Sequence, residues 1–119
     1  MDKIGDFILT LLHSVTNTHI LHWQAQTLSQ HLALGKFYDV MNDKIDFLVE
    51  TMVGKYETMI EFPVTYHGPA ATGLEELQTL SKYFEEGRKD LPQDSEVQNI
   101  CDEIQQLIDQ TIYKLKFLR

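Results

Sequence analysis

The fold is decided by the single clear loop of the chain, Pro63-Val-Thr-Tyr-His-Gly-Pro-Ala-Ala-Thr72. Its two prolines and one glycine disfavour a continuous helix, and the Thr72 hydroxyl is suited to cap a new helix, with Glu75 completing a capping box. On both sides of this loop the apolar residues recur every three or four positions, which is helical spacing rather than the alternation of a strand. The sequence therefore predicts helices before and after the loop.

Four helical blocks follow from this spacing, and they are predicted near residues 2–28, 30–61, 73–87 and 95–118. Four apolar stripes are best buried against one another, so we predict an all-α four-helix bundle that forms one domain over residues 1–119. Met59 is assigned to the core face of the second helix, and Phe62 with Pro63 is expected to end it. A second helix of about 28 residues, if its start lies nearer Ala33, spans about 42 Å, whereas the stretch from Pro63 to Gly73 reaches roughly 36–40 Å. Both a crossover and a simple antiparallel turn remain open.

Composition limits the possible partners of the chain. The formal net charge is -8 and no basic stripe is present, so direct binding to nucleic acid is not expected. No apolar run approaches the length of a bilayer span and no signal peptide is visible, so we expect a cytoplasmic protein without membrane contact. The single cysteine, Cys101, is interpreted as a small buried residue of the last helix. A homo-oligomer, at least a dimer, is expected from four aromatic residues outside the narrow apolar stripes, Trp23, Phe37, Phe47 and Tyr56.

Two histidines and two carboxylates are the candidate metal ligands. His22 and His31 flank the end of the first helix, and Asp46 and Glu50 stand four residues apart, so both carboxylates leave one face of the second helix. Imidazoles combined with carboxylates suit a first-row metal, and iron fits this set better than zinc. His19 offers a rival pairing with His22. Each group also has an ordinary interpretation, as a hydrogen-bonded core histidine or as part of a solvated acidic face.

The order His22-Trp23, His31, Tyr38, Asp46 and Glu50 resembles the Dps-type mini-ferritins of the ferritin-like superfamily, including small ferritin-like proteins encoded by tailed phages. That resemblance implies a ferritin-like bundle and a ferroxidase centre shared between two subunits. The histidines would come from one chain and the carboxylates from the other. It also implies that iron is oxidised and stored inside an oligomeric shell, in the host cytoplasm if a phage encodes the protein.

Two functions of different classes are carried forward from the sequence. The first is an iron-binding protein, a possible ferroxidase, that oxidises or sequesters ferrous iron at an intersubunit site of His22, His31, Asp46 and Glu50. The alternative is a non-catalytic helical assembly or interaction protein that retains the ferritin-like fold. Metal binding separates the two, because only the first requires it.

Overall fold

The computed structural model describes residues 2–118, which form four α-helices joined by short turns and one long connection. The helices are α1 (Asp2–Gln24), α2 (Leu28–Tyr56), α3 (Gly73–Gly87) and α4 (Ser95–Phe117), with a 3-10 turn at Arg88–Asp90 before α4. No strand occurs within residues 2–118. The predicted all-α bundle of four helices is confirmed.

Every helix lies beside two others, and neighbouring helices run antiparallel. α1 packs against α2 and α3, and α4 packs against the same two helices. A Cβ built at Gly73, the first residue of α3, would lie 3.0 Å from Leu34 near the start of α2. Gly87, the last residue of α3, approaches the Phe7 ring near the start of α1. α2 and α3 therefore run in the same direction across a diagonal of the bundle.

A crossover of residues 57–72 joins these two parallel helices. α2 contains 29 residues and is therefore about 44 Å long. A connection of sixteen residues extends at most roughly 53–58 Å, so it can return along the whole bundle. Of the two topologies that the sequence left open, the structure has the crossover.

The side chain of Asn17 in α1 holds the middle of the crossover. It is almost completely buried, its Oδ1 accepts a hydrogen bond from the Tyr66 hydroxyl at 2.7 Å, and its Nδ2 donates to the His67 carbonyl at 2.9 Å. The His13 ring meets the Tyr66 ring edge-on at 5.0 Å between centroids. A buried amide with both ends bonded fixes the path of the connection across α1.

The second helix ends at Tyr56, so the prediction that it continues to residue 61 is wrong. Glu57 takes a left-handed conformation, with φ 50° and ψ 37°, and its N–H donates to the Val53 carbonyl at 2.9 Å. Beyond it, Ile60 is buried against the bundle. The Glu61 carbonyl passes so close to Gly5 that a Cβ there would lie 1.7 Å from its oxygen. Burial of Ile60 and passage over Gly5 both require the chain to leave the helix.

The other predicted boundaries differ by smaller amounts. α1 stops at Gln24 rather than near residue 28, because Thr27 is the N-cap of α2 and its hydroxyl accepts from the Gln30 N–H at 3.2 Å. α3 has the predicted bounds, and the Thr72 hydroxyl accepts from the Glu75 N–H at 3.2 Å. Only this half of the capping box forms; the neighbouring carboxylate, Glu76, instead accepts from the Ala70 N–H at 2.9 Å.

The core corrects two of the sequence assignments. Phe37 was expected outside the apolar stripe but is fully buried, because it lies three residues after Leu34 and four before Met41 on the same face of α2. Met59 is exposed, since α2 ends before it and Ile60 is buried instead. Trp23, Phe47 and Tyr56 are exposed, as the sequence predicted.

Among the described residues, no helix combines the length and apolar character needed to cross a bilayer.

Candidate functional site

The two predicted histidine ligands lie together where α1 passes into α2. His22 is in the last turn of α1, and His31 is in the first turn of α2. The His22 Nδ1 lies 2.5 Å from the His31 carbonyl oxygen, and the His31 Nδ1 lies 2.9 Å from the His22 carbonyl oxygen. The two rings stack, with 3.7 Å between centroids and 22° between planes. The turn therefore brings both imidazoles into one reciprocal pair, the imidazole pair.

These hydrogen bonds place a proton on one nitrogen of each ring. A carbonyl oxygen can only accept, so each Nδ1 must carry the proton and donate it. In the neutral imidazole the Nε2 then keeps its lone pair, and this is the form of the ring that binds metals. Metal-ligating histidines usually donate their other ring N–H to a carbonyl or carboxylate in this way. The imidazole pair therefore presents two oriented nitrogen ligands.

Aromatic rings and a glycine complete the surroundings of the imidazole pair. A Cβ at Gly35 would lie 3.0 Å from His22 Cε1 and 3.1 Å from its Nδ1, so the ring rests directly on the α2 backbone. His19 stacks on Tyr38 with centroids 4.1 Å apart, and it contacts Trp23 at 4.2 Å with the two rings tilted by 39°. The His19 and His22 centroids are 6.1 Å apart. His19 therefore packs between two aromatic rings, and its pairing with His22 as a ligand stays a prediction.

The two predicted carboxylate ligands lie elsewhere on α2. Asp46 and Glu50 are exposed and one turn apart, on the outer surface of the helix. Along the helix axis, Asp46 is about 22 Å from His31. Within residues 2–118 of one chain, no group of three or more His, Cys, Asp or Glu side chains is placed to hold a metal ion. One chain thus supplies an imidazole pair and a separate carboxylate pair, and the four-residue site stays a prediction about two chains.

A second charged cluster, which the sequence interpretation missed, joins α2 to α4. Lys55 forms ion pairs with Asp94, at 2.9 Å, and with Glu96, and the Tyr56 hydroxyl donates to Asp94 at 2.8 Å. The hydrogen bonds to Glu96 and Asp94 raise the pKa of Lys55, and the Asp94 hydrogen bond raises the pKa of Tyr56. The Lys55 and Tyr56 hydrogen bonds lower the pKa of Asp94. This cluster fixes the end of α2 against the start of α4. Its charged groups already bond to one another, so they do not form an open binding site.

The sequence contained only weak indications that His22 and His31 would pair against Gly35. Gly35 was visible only as an unfavourable residue in a helix, and its role depends on which α1 side chain crosses it. The reciprocal bonds depend on a turn of three residues, Ala25 to Thr27, which the sequence assigned to helix. A glycine in a helix facing a histidine of the preceding helix is the only pattern that could have indicated the contact.

Comparison with known protein families identifies the class of the chain. Residues 22–115 match the family of unknown function DUF5856, so the chain belongs to that family. No curated protein matches the chain, and no solved structure matches it. The resemblance to Dps-type mini-ferritins, including those of phages, is therefore corrected. It relied on a few motif residues of the first two helices and, loosely, on residues 112–118 of the last, whereas the family match extends over residues 22–115.

Proposed function

We propose that the protein binds ferrous iron at a site formed by His22 and His31 of one chain and by Asp46 and Glu50 of a second copy. The observation that supports this most strongly is the pair of Nδ1 to carbonyl hydrogen bonds, which leaves both Nε2 atoms free as ligands. Two imidazoles with carboxylates and open positions form a ligand set that suits iron. The net charge of -8 adds an attraction for cations.

The proposed reaction is oxidation and sequestration of the bound ion. Each ferrous ion gives up one electron; dioxygen takes up four electrons and four protons to form two waters, and peroxide takes up two of each to form two waters. The protein would supply ligands, orientation and an open coordination position for the oxidant. We further propose a homo-oligomer in the cytoplasm, without nucleic acid or membrane partners. The single crossover corresponds to ferritin-like connectivity, which we propose as a topology only.

Anaerobic titration with ferrous iron, followed by admission of air and near-ultraviolet absorbance of ferric oxo species, tests this function. Asp46→Ala and Glu50→Ala should each weaken binding by about ten- to a hundred-fold. Helix content should stay unchanged, and the melting temperature should be preserved or raised, because one of two neighbouring like charges is removed. Glu85→Ala, which removes an exposed carboxylate of α3, is the matched control and should bind like the parent. Parental affinity in both site variants would disprove the proposed ligand set.

The second candidate is a non-catalytic helical assembly protein. Three large apolar side chains stay exposed around the α1 to α2 turn, namely Trp23 at 69%, Leu28 at 71% and Leu32 at 60% of their accessible area. Clustered apolar surface of this kind is typical of protein contacts. Light scattering that finds an oligomer in a protein that binds no ferrous iron would favour this candidate over the first.

A further inference from the structure

The outer face of α2 carries a palindromic set of exposed side chains, which we call the α2 palindrome: Leu32, Lys36, Asp43 and Phe47. Their spacings are four, seven and four residues, so the set is symmetric about a point between Asp39 and Val40. At 100° per residue, all four fall within an arc of about 60°. Leu32 and Phe47 keep 60% and 65% of their area exposed. Within the described residues, neither Lys36 nor Asp43 forms an ion pair.

We propose that the α2 palindrome is the contact surface for a second copy of this chain, with the two α2 helices antiparallel across a two-fold axis. In such a contact residue i meets residue j while j meets i. The symmetry point pairs Leu32 with the partner's Phe47, and Lys36 with the partner's Asp43. Each pair occurs twice. The chemistry is complementary at every position, since apolar meets apolar and a cation meets an anion.

The same register brings the two halves of the proposed metal site to the same level along the helix axis. Position 31 lies level with position 48 of the partner, which is midway between the partner's Asp46 and the partner's Glu50. Around the helical wheel, Glu50 and Asp46 lie about 30° and about 70° from the centre of the palindrome, whereas His31 lies about 130° away, towards α1, so the match is one of level along the axis. The register itself follows from the four residues of the α2 palindrome and not from these three. This alignment rests on the proposed function, whereas the contact itself is argued from the palindrome alone.

Charge and size set the expected strength of the contact. The axis brings the two Asp39 side chains near each other, and Lys36, one turn away in each chain, offsets this repulsion. The face from Leu28 to Glu50 is about 33 Å long and about 10 Å wide. That footprint is well below the roughly 800 Å² per partner of a standard interface. We therefore expect a dimer with a micromolar dissociation constant, before any metal is added.

Sedimentation velocity from low to high micromolar concentration, with a chelator present, tests the contact without metal. Lys36→Asp and Asp43→Lys each turn two attractive pairs into repulsive ones, so each should weaken the dimer by about tenfold. The double variant exchanges the charges, restores both pairs and should return within about threefold of the parent. Lys82→Asp, on the exposed surface of α3, gives the same charge change as Lys36→Asp and should leave the dimer unchanged.

A cross-link gives a second, geometric readout. Asp39→Cys places two thiols beside the axis, so mild oxidation should yield a covalent dimer, whereas Asp109→Cys on the exposed surface of α4 should not. The proposal is overturned if the parent stays monomeric at hundreds of micromolar, if the double variant is as weak as the single ones, or if Lys82→Asp weakens the dimer equally. Failure of the metal proposal looks different, because Asp46→Ala would then bind iron normally in an intact dimer.

Discussion

Gly35 and Gly54 lie on the same helix and have the same helix propensity, but their surroundings differ. A side chain at Gly35 would meet the His22 ring at 3.0 Å, and a side chain at Gly54 would meet nothing within 4 Å. The His22 ring is fixed by its bond to the His31 carbonyl and by stacking, so it cannot easily move aside. Gly35 is therefore required by a neighbour, whereas Gly54 is not.

Alanine substitutions should separate the two glycines. Gly54→Ala should raise the free energy of unfolding by about 0.5–1 kcal/mol, the usual gain from replacing glycine in an exposed helix. Gly35→Ala should bring no gain, because the new methyl group displaces the His22 ring and disturbs the imidazole pair. Urea unfolding measures the first effect, and nitrogen NMR of the imidazole tautomers measures the second. Equal stabilisation by both substitutions, with unchanged histidine spectra, would contradict the role given to Gly35.

At the scale of elements, Asp94 links the end of α2 to the start of α4. It occupies the N-cap position of α4, but its side chain makes no capping bond and instead accepts from Tyr56 and pairs with Lys55. These bonds hold the pKa of Asp94 below its usual value of 3.8. A lowered pKa means that this carboxylate stabilises the fold above about pH 4, and that the contribution is lost as the pH falls through the folded value.

Asp94→Asn should therefore flatten the acid limb of the stability profile. The parent should lose more stability between pH 4 and pH 2 than the variant does, and the variant should be less stable at pH 7. Urea midpoints measured at both pH values provide the comparison. Asp109→Asn, an exposed α4 residue, is the matched control and should follow the parent. Parallel pH profiles for parent and Asp94→Asn would show that the cluster adds nothing to stability.

The helices differ in how far the sequence could determine them. α3 was predicted to the residue. The Thr72 cap sets its start locally, whereas Gly87 at its end keeps right-handed dihedrals and is required by the Phe7 ring. The end of α2 was not predicted correctly, because it depends on tertiary contacts of Asp94, Ile60 and Gly5. The local sequence around Tyr56 gives no indication of those contacts. The two halves of the candidate site also differ in whether the local sequence could predict them. Helical spacing gave the Asp46 and Glu50 pair, whereas the contact between His22 and His31 depends on the turn.

The crossover is a property of the whole molecule that length alone did not decide. Ending α2 at Tyr56 shortens the distance to be covered and lengthens the connection at the same time. The returning chain then covers α1, with Ile60 and the Asn17 bonds as its fixed points. The connection thereby encloses α1 between α2, α3 and its own backbone, which predicts that the four helices unfold as one unit.

Cys101 offers a direct test of that cooperativity. Its side chain has no exposed area, and burial raises the pKa of the thiol to about 11. A thiol reagent should therefore react only with molecules that have opened, because the folded state presents neither access nor thiolate. We expect the free energy of opening, obtained from the labelling rate against urea, to equal that from far-ultraviolet circular dichroism. The unfolded protein in concentrated urea supplies the reference rate. If labelling instead proceeds with a much smaller free energy and little dependence on urea, α4 opens locally, and residues 1–119 do not behave as one cooperative domain.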